Sequence, residues 1–129
     1  MSYTMDKTIA GVPFEQVVEM TRAALLSKGF GVLTEIDVKA TMKKKMDADV
    51  DDYIILGACN PRMAFEAMKM EPKVGAMLPC NVIIRGLKGG DVMVSAIDPV
   101  VSMQGIDNDT LKDTAGKVRS MLEQVIASI

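Results

Sequence analysis

The chain predicts an α+β fold: a single mixed or antiparallel sheet of about five strands, with helices packed mainly on one face. Three observations carry that reading. Several short runs alternate apolar and polar residues, the period of half-buried strands. Between them lie segments whose apolar residues recur at three- and four-residue spacing, the mark of amphipathic helices. Two strand-like runs are joined only by Lys88-Gly89-Gly90, a hairpin's length, whereas the other connections are long enough for helices.

Taken in order, Tyr3 to Ile9 alternates as a first strand, broken by Gly11. Pro13 opens a helix carrying Phe14, Val17, Val18, Thr21, Ala24 and Leu25 on one side, and Gly29 stops it. Phe30 to Lys39 predicts a second strand, beside the first, with Phe30, Val32, Ile36 and Val38 on one face and Glu35, Asp37 and Lys39 on the other. Ala40 to Met46 has length for two helical turns, and Asp47 to Asp52 forms an acidic loop. Its aspartate spacing imitates a calcium loop, but Asp52 stands where glycine is required and Ala58 where glutamate is required, so an EF-hand is excluded.

Tyr53 to Ala58 is a third strand. Asn60 caps a helix that starts at Pro61 and ends near Glu71, ahead of Pro72. Cys80 to Leu87 and Asp91 to Asp98 form the hairpin. Asp107 or Asn108 caps the last and longest helix, whose apolar face runs through Leu111, Ala115, Val118, Leu122, Val125, Ile126 and Ile129. Gly116 inside that helix suggests either a close helix–strand approach or a tolerated defect.

Composition narrows function more by exclusion than by assignment. The 129 residues fit one domain, residues 1–129, large enough to fold without a metal or disulfide staple. Histidine is absent, which removes Ser-His-Asp and Cys-His dyads, Cys/His zinc sites and imidazole bases. A net charge of −2 with three Phe, two Tyr and no Trp lacks both the basic surface and the stacking rings that nucleic acid needs. No apolar run reaches the length of a signal core or a membrane span, so we expect a cytoplasmic protein without membrane or nucleic-acid partners. In that compartment the two cysteines read as thiols rather than a bridge.

Both thiols fall in Tyr53–Ile84, each followed by asparagine and close to proline, as Cys59-Asn60-Pro61 and Pro79-Cys80-Asn81. Cys59 precedes a helix N-terminus, whose dipole would lower a thiol pKa. Cys80 would be its resolving partner or a second soft ligand. A parallel crossover would hold the two apart, and a chain that folds back near Met77–Pro79 would bring them together.

Gly31-Val32-Leu33-Thr34-Glu35-Ile36-Asp37-Val38-Lys39-Ala40-Thr41, Ile55-Leu56-Gly57-Ala58-Cys59-Asn60-Pro61 and Leu78-Pro79-Cys80-Asn81-Val82, in this order, resemble the domain-of-unknown-function family 302, the TT1751-like proteins. The likeness spans nearly the whole chain. It implies a small cytosolic α+β domain of helix-grip or TBP-like layout that forms a homodimer. It supplies no activity, and it draws attention to Glu35, Asp37, Lys39, Gly57, Cys59, Asn60, Pro61, Pro79, Cys80 and Asn81.

The candidate binding residues are therefore Cys59, Asn60, Pro61, Cys80 and Asn81, with the stripe Glu35, Asp37 and Lys39. Met63, Phe65, Met68 and Met77 are expected to rim a helix–sheet groove, since twelve methionines among few aromatics make a deformable apolar surface. A soft-metal reading would add Met63, Met68, Met70 and Met77 to the two thiols. No compact motif enforces such a site, and we expect no metal, cofactor or catalytic residue. The expected role is a dimeric binding module for a small apolar ligand or partner segment. Thiol-dependent redox or enzyme activity through Cys59 and Cys80, and a structural or assembly role, are the alternatives.

Overall fold

A computed structural model describes residues 2–129. Its elements are β1 (Thr4–Ile9), α1 (Phe14–Ser27), β2 (Gly31–Asp37), α2 (Val38–Met46), β3 (Tyr53–Cys59), α3 (Pro61–Met70), a 3₁₀ segment (Pro72–Met77), β4 (Cys80–Gly86), β5 (Val92–Ile97), the short α4 (Pro99–Ser102) and α5 (Asp109–Ser128). The strands form one sheet in the order β1-β5-β4-β3-β2, and every neighbouring pair is antiparallel. The α+β class is as predicted from the patterning. The neighbour of β1 is not: β1 and β2 are the two edges of the sheet, because β1 takes β5 as its partner from Thr4↔Ile97 to Ile9↔Val92.

One face of the sheet carries the main core. Leu56 and Ala58 of β3, Cys80, Val82 and Ile84 of β4, and Val92, Val94 and Ala96 of β5 are buried there with Val17, Val18 and Leu25 of α1 and Leu122, Val125 and Ile126 of α5. Each fully buried aliphatic side chain contributes about 1.5–3 kcal/mol relative to exposure, so these two helices hold the sheet. A smaller cluster, Ala67, Val74, Met103, Leu111 and Ala115, packs α3, the 3₁₀ segment and the end of α4 against the first half of α5.

The outer face is different. Ile36, Ile55 and Ile83 lie side by side across β2, β3 and β4, and belong to neither cluster. Ile36 reaches this face because of a bulge: Val32 pairs with Ala58 and Thr34 with Gly57, leaving Leu33 as an extra residue, largely exposed. One inserted residue inverts the alternation beyond it. Glu35 consequently points to the helix side, where it meets Arg22 of α1, and Ile36 points outward, the reverse of simple alternation along Phe30–Lys39.

Two further departures are local. The strand ends at Asp37, whose carboxylate accepts the Ala40 N–H at 2.9 Å and starts α2, so Lys39 is helical. Asp98 does not merely close β5 but caps α4 through the Val100 N–H at 2.9 Å, a short helix that the patterning missed.

Candidate functional site

The chain between β3 and β4 turns back on itself. Asn60 accepts the Met63 N–H at 3.2 Å and caps α3, Pro61 occupies the first turn, and the 3₁₀ segment returns the backbone through a cis Leu78–Pro79 bond. Antiparallel pairing of Ala58 with Cys80 then brings the two thiol-bearing turns to the same end of the sheet. Backbone and side chains approach closely here: a Cβ on Gly57 would collide with Thr34 Oγ1 and lie 2.8 Å from Pro79 Cγ, so only glycine fits.

Cys59 and Cys80 both line a cavity of about 40 Å³ at the seam between the main core and the smaller cluster. Phe30, Ala58 and Cys80 form its sheet side. Asn60, Met63, Ala64 and Ala67 come from the cap and face of α3, with Leu78 beyond it. Pro99 and Met103 of the α4 region and Leu111, Thr114, Ala115 and Val118 of α5 close the far side. Among the described residues, no charged side chain lines it.

Each wall is held by a recognisable device. Gly29, at φ +84°, ends α1, and the Phe30 N–H then donates to Leu25 O at 3.0 Å, which turns the buried Phe30 ring inward. Buried Asp98 accepts from Arg119 Nε at 2.9 Å as well as from the α4 backbone, tying Pro99 and Met103 to α5. Asn108 caps α5 through the Leu111 N–H at 3.0 Å and donates to Met70 O at 3.4 Å, joining α5 to the end of α3.

The cavity's electrostatics oppose the expected thiolate. Desolvation raises the Cys59 pKa, and it pushes Cys80 up to about 11, with the nearby Cys59 charge adding to the effect. The helix-dipole expectation fails at Cys59 because this residue precedes the cap and lines an apolar hollow.

The remaining candidates scatter. Met63 is in the cavity wall, but Phe65, Met68 and Met77 are exposed, with Lys69 Nζ 4.9 Å from the centre of the Phe65 ring. The groove rim expected from these four residues is thus reduced to one. Asn81 pairs with Gly57 and is exposed, and Pro61 is exposed at the helix start. Glu35, Asp37 and Lys39 do not form a strand stripe: Glu35 pairs with Arg22, Asp37 caps α2, and Lys39 pairs with Asp52 at 3.4 Å. The acidic loop is likewise engaged, as Lys43 reaches Asp47 at 2.9 Å and Asp49 at 3.3 Å. Among the described residues, no three Cys, Asp or Glu side chains are grouped to hold a metal, and no helix is long and apolar enough to cross a membrane.

A family model, Domain of unknown function DUF302, matches residues 5–129. The chain belongs to the DUF302 family. The crystal structure of an uncharacterised conserved DUF302 protein from Bacillus stearothermophilus superposes with a TM-score of 0.91 at 20% identity, covering 99% of this chain and 98% of that one. At that identity the likeness concerns the fold. No curated protein sequence matches the chain. Within this DUF302 fold, the residues that sequence reasoning missed are mostly helical: Leu111, Ala115 and Val118 lay on the predicted apolar face of the last helix, whereas Pro99 and Met103 sat in a segment with too little periodicity to read.

Proposed function

We propose that this DUF302 protein is a dimeric binding module that accommodates a small apolar ligand, or one apolar side chain of a partner segment, in the cavity beside Cys59 and Cys80. The observation that carries this reading is an uncharged hollow placed between two hydrophobic clusters rather than within either. Its volume of about 40 Å³ sets the size of the guest. Since one water needs at least 10–15 Å³ on this scale, the hollow takes roughly three water-sized groups. Asn60 and Thr114 are the neutral polar groups in the wall, and few such groups make water a poor occupant. The tightly held thiol protons favour packing and recognition over thiolate attack.

Xenon under pressure is a suitable probe. The methyl resonances of Ala58 and Ala115 are expected to shift and saturate as xenon pressure rises, and Ala64→Leu, which fills the space, is expected to abolish the response. A uniform, unsaturable drift across the protein would sink the reading.

A further inference from the structure

The tertiary structure gathers sulfur in a way that the sequence does not. Cys59 stands at the end of β3 and Cys80 at the start of β4, with Met63 in the first turn of α3 and Met103 immediately after α4. All four line the same cavity. Two thiols and two thioethers are thus brought from four separate elements to one hollow, and Met103 belongs to no cysteine- or methionine-bearing motif. Of the methionines that a soft site might have used, Met68 and Met77 are exposed, while Met70 packs with the smaller cluster.

We infer that this cavity binds one Cu(I) ion through the sulfur atoms of Cys59, Cys80, Met63 and Met103. The chemical selection follows from the donor set. Thioethers are soft donors that suit Cu(I), whereas zinc sites are built from thiolate, imidazole and carboxylate, and among the described residues no carboxylate or other charged side chain lines the wall. Charge balance favours a monovalent ion: when Cu(I) replaces one thiol proton, a sulfur–copper bond forms, one S–H bond breaks, the proton leaves to water, and the centre is neutral. Copper keeps its oxidation state, so no oxidant or reductant takes part. A neutral centre suits an apolar site, where an unbalanced charge is costly. Cys59, the half-buried thiol of the pair, offers the entry side, and Cys80 lies deeper.

This inference goes beyond apolar-ligand binding and does not rest on it. The test is an anaerobic titration of the protein with Cu(I) against a chromophoric Cu(I) chelator, with Zn(II) in parallel. Wild type is expected to take up one Cu(I), with ultraviolet thiolate-to-copper absorption, and to take up no Zn(II) under the same conditions. Cys59→Ser/Cys80→Ser is expected to lose binding, and Met63→Leu/Met103→Leu, which keeps side-chain volume, to weaken it by about tenfold or more. Cu(I)-loaded protein is also expected to lose its xenon response, because both guests need the same space. Wild-type affinity in either double variant, or equal uptake of Zn(II), overturns the assignment. A protein that responds to xenon but not to Cu(I) overturns the copper site alone.

Discussion

At Cys59 and Cys80 the proton is held more tightly in the folded protein than in an unfolded chain, since burial disfavours the thiolate. The linkage has a definite sign. A group whose pKa is raised by folding contributes stability that is present below its unfolded value, here 9.0, and lost as pH climbs through its folded value. For Cys80 that window runs from 9.0 to about 11. Unfolding midpoints are therefore expected to fall across this alkaline range, and less so in Cys80→Ala. Alkylation at pH 7 gives a second reading of the same physics: both thiols are expected to react more slowly than free cysteine, Cys80 most slowly. Faster alkylation of Cys59 at neutral pH would restore the redox alternative. Gly57 shows how closely the surroundings of these thiols are packed, with Thr34 and Pro79 occupying the space that a larger side chain would need.

Among the elements, α5 is the most consequential, because it touches both clusters and supplies the far wall of the cavity. Its periodic face is written in the local sequence, which offered Asp107 or Asn108 as its cap, and the Leu111 N–H donates to Asn108. Gly116 is resolved by the structure: a Cβ there meets nothing within 4 Å, so no close helix–strand approach requires glycine. The residue is a helix-interior glycine in open space. Gly116→Ala is expected to stabilise the protein by about 0.5–1 kcal/mol, read as a rise in the denaturant midpoint at unchanged slope. A fall in stability would mean that the helix needs the glycine for a reason other than local space. The bulge in β2 teaches the opposite lesson. Nothing in Gly31-Val32-Leu33-Thr34-Glu35 announces an extra residue, and the inversion of Glu35 and Ile36 arises from pairing with β3.

For the whole molecule, the two faces of the sheet pose the question of assembly. One is sealed by α1 and α5, while the other presents Ile36, Ile55 and Ile83 in a row outside both clusters, with Ile36 47% exposed. A contiguous apolar row of this kind favours a partner surface, and we propose a two-fold pairing of this face as the form of the dimer. Wild type is expected to sediment as a dimer at micromolar concentration and Ile83→Lys as a monomer with unchanged circular dichroism. A monomeric wild type would remove the dimer, and a dimeric Ile83→Lys would move its interface elsewhere.

Sequence alone determined what depends on near neighbours: the period of β1, β3, β4, β5, α1, α3 and α5, the cap at Asn60, the choice of Asp107 or Asn108 as the cap of α5, the hairpin at Gly89-Gly90, the α+β class, and the absence of imidazole chemistry. Tertiary structure decided what depends on distant partners. It placed β1 and β2 at opposite edges, turned Glu35 toward Arg22, converted Lys39 from a strand residue to a helical one, and dispersed the expected methionine rim while drawing Met103 to the thiols. The division has a physical origin. Backbone dihedral preference and side-chain periodicity act over a few residues and leave their mark on the chain, whereas strand partners and cavities emerge from the one arrangement in which all the apolar faces are covered together, a condition that no single segment carries.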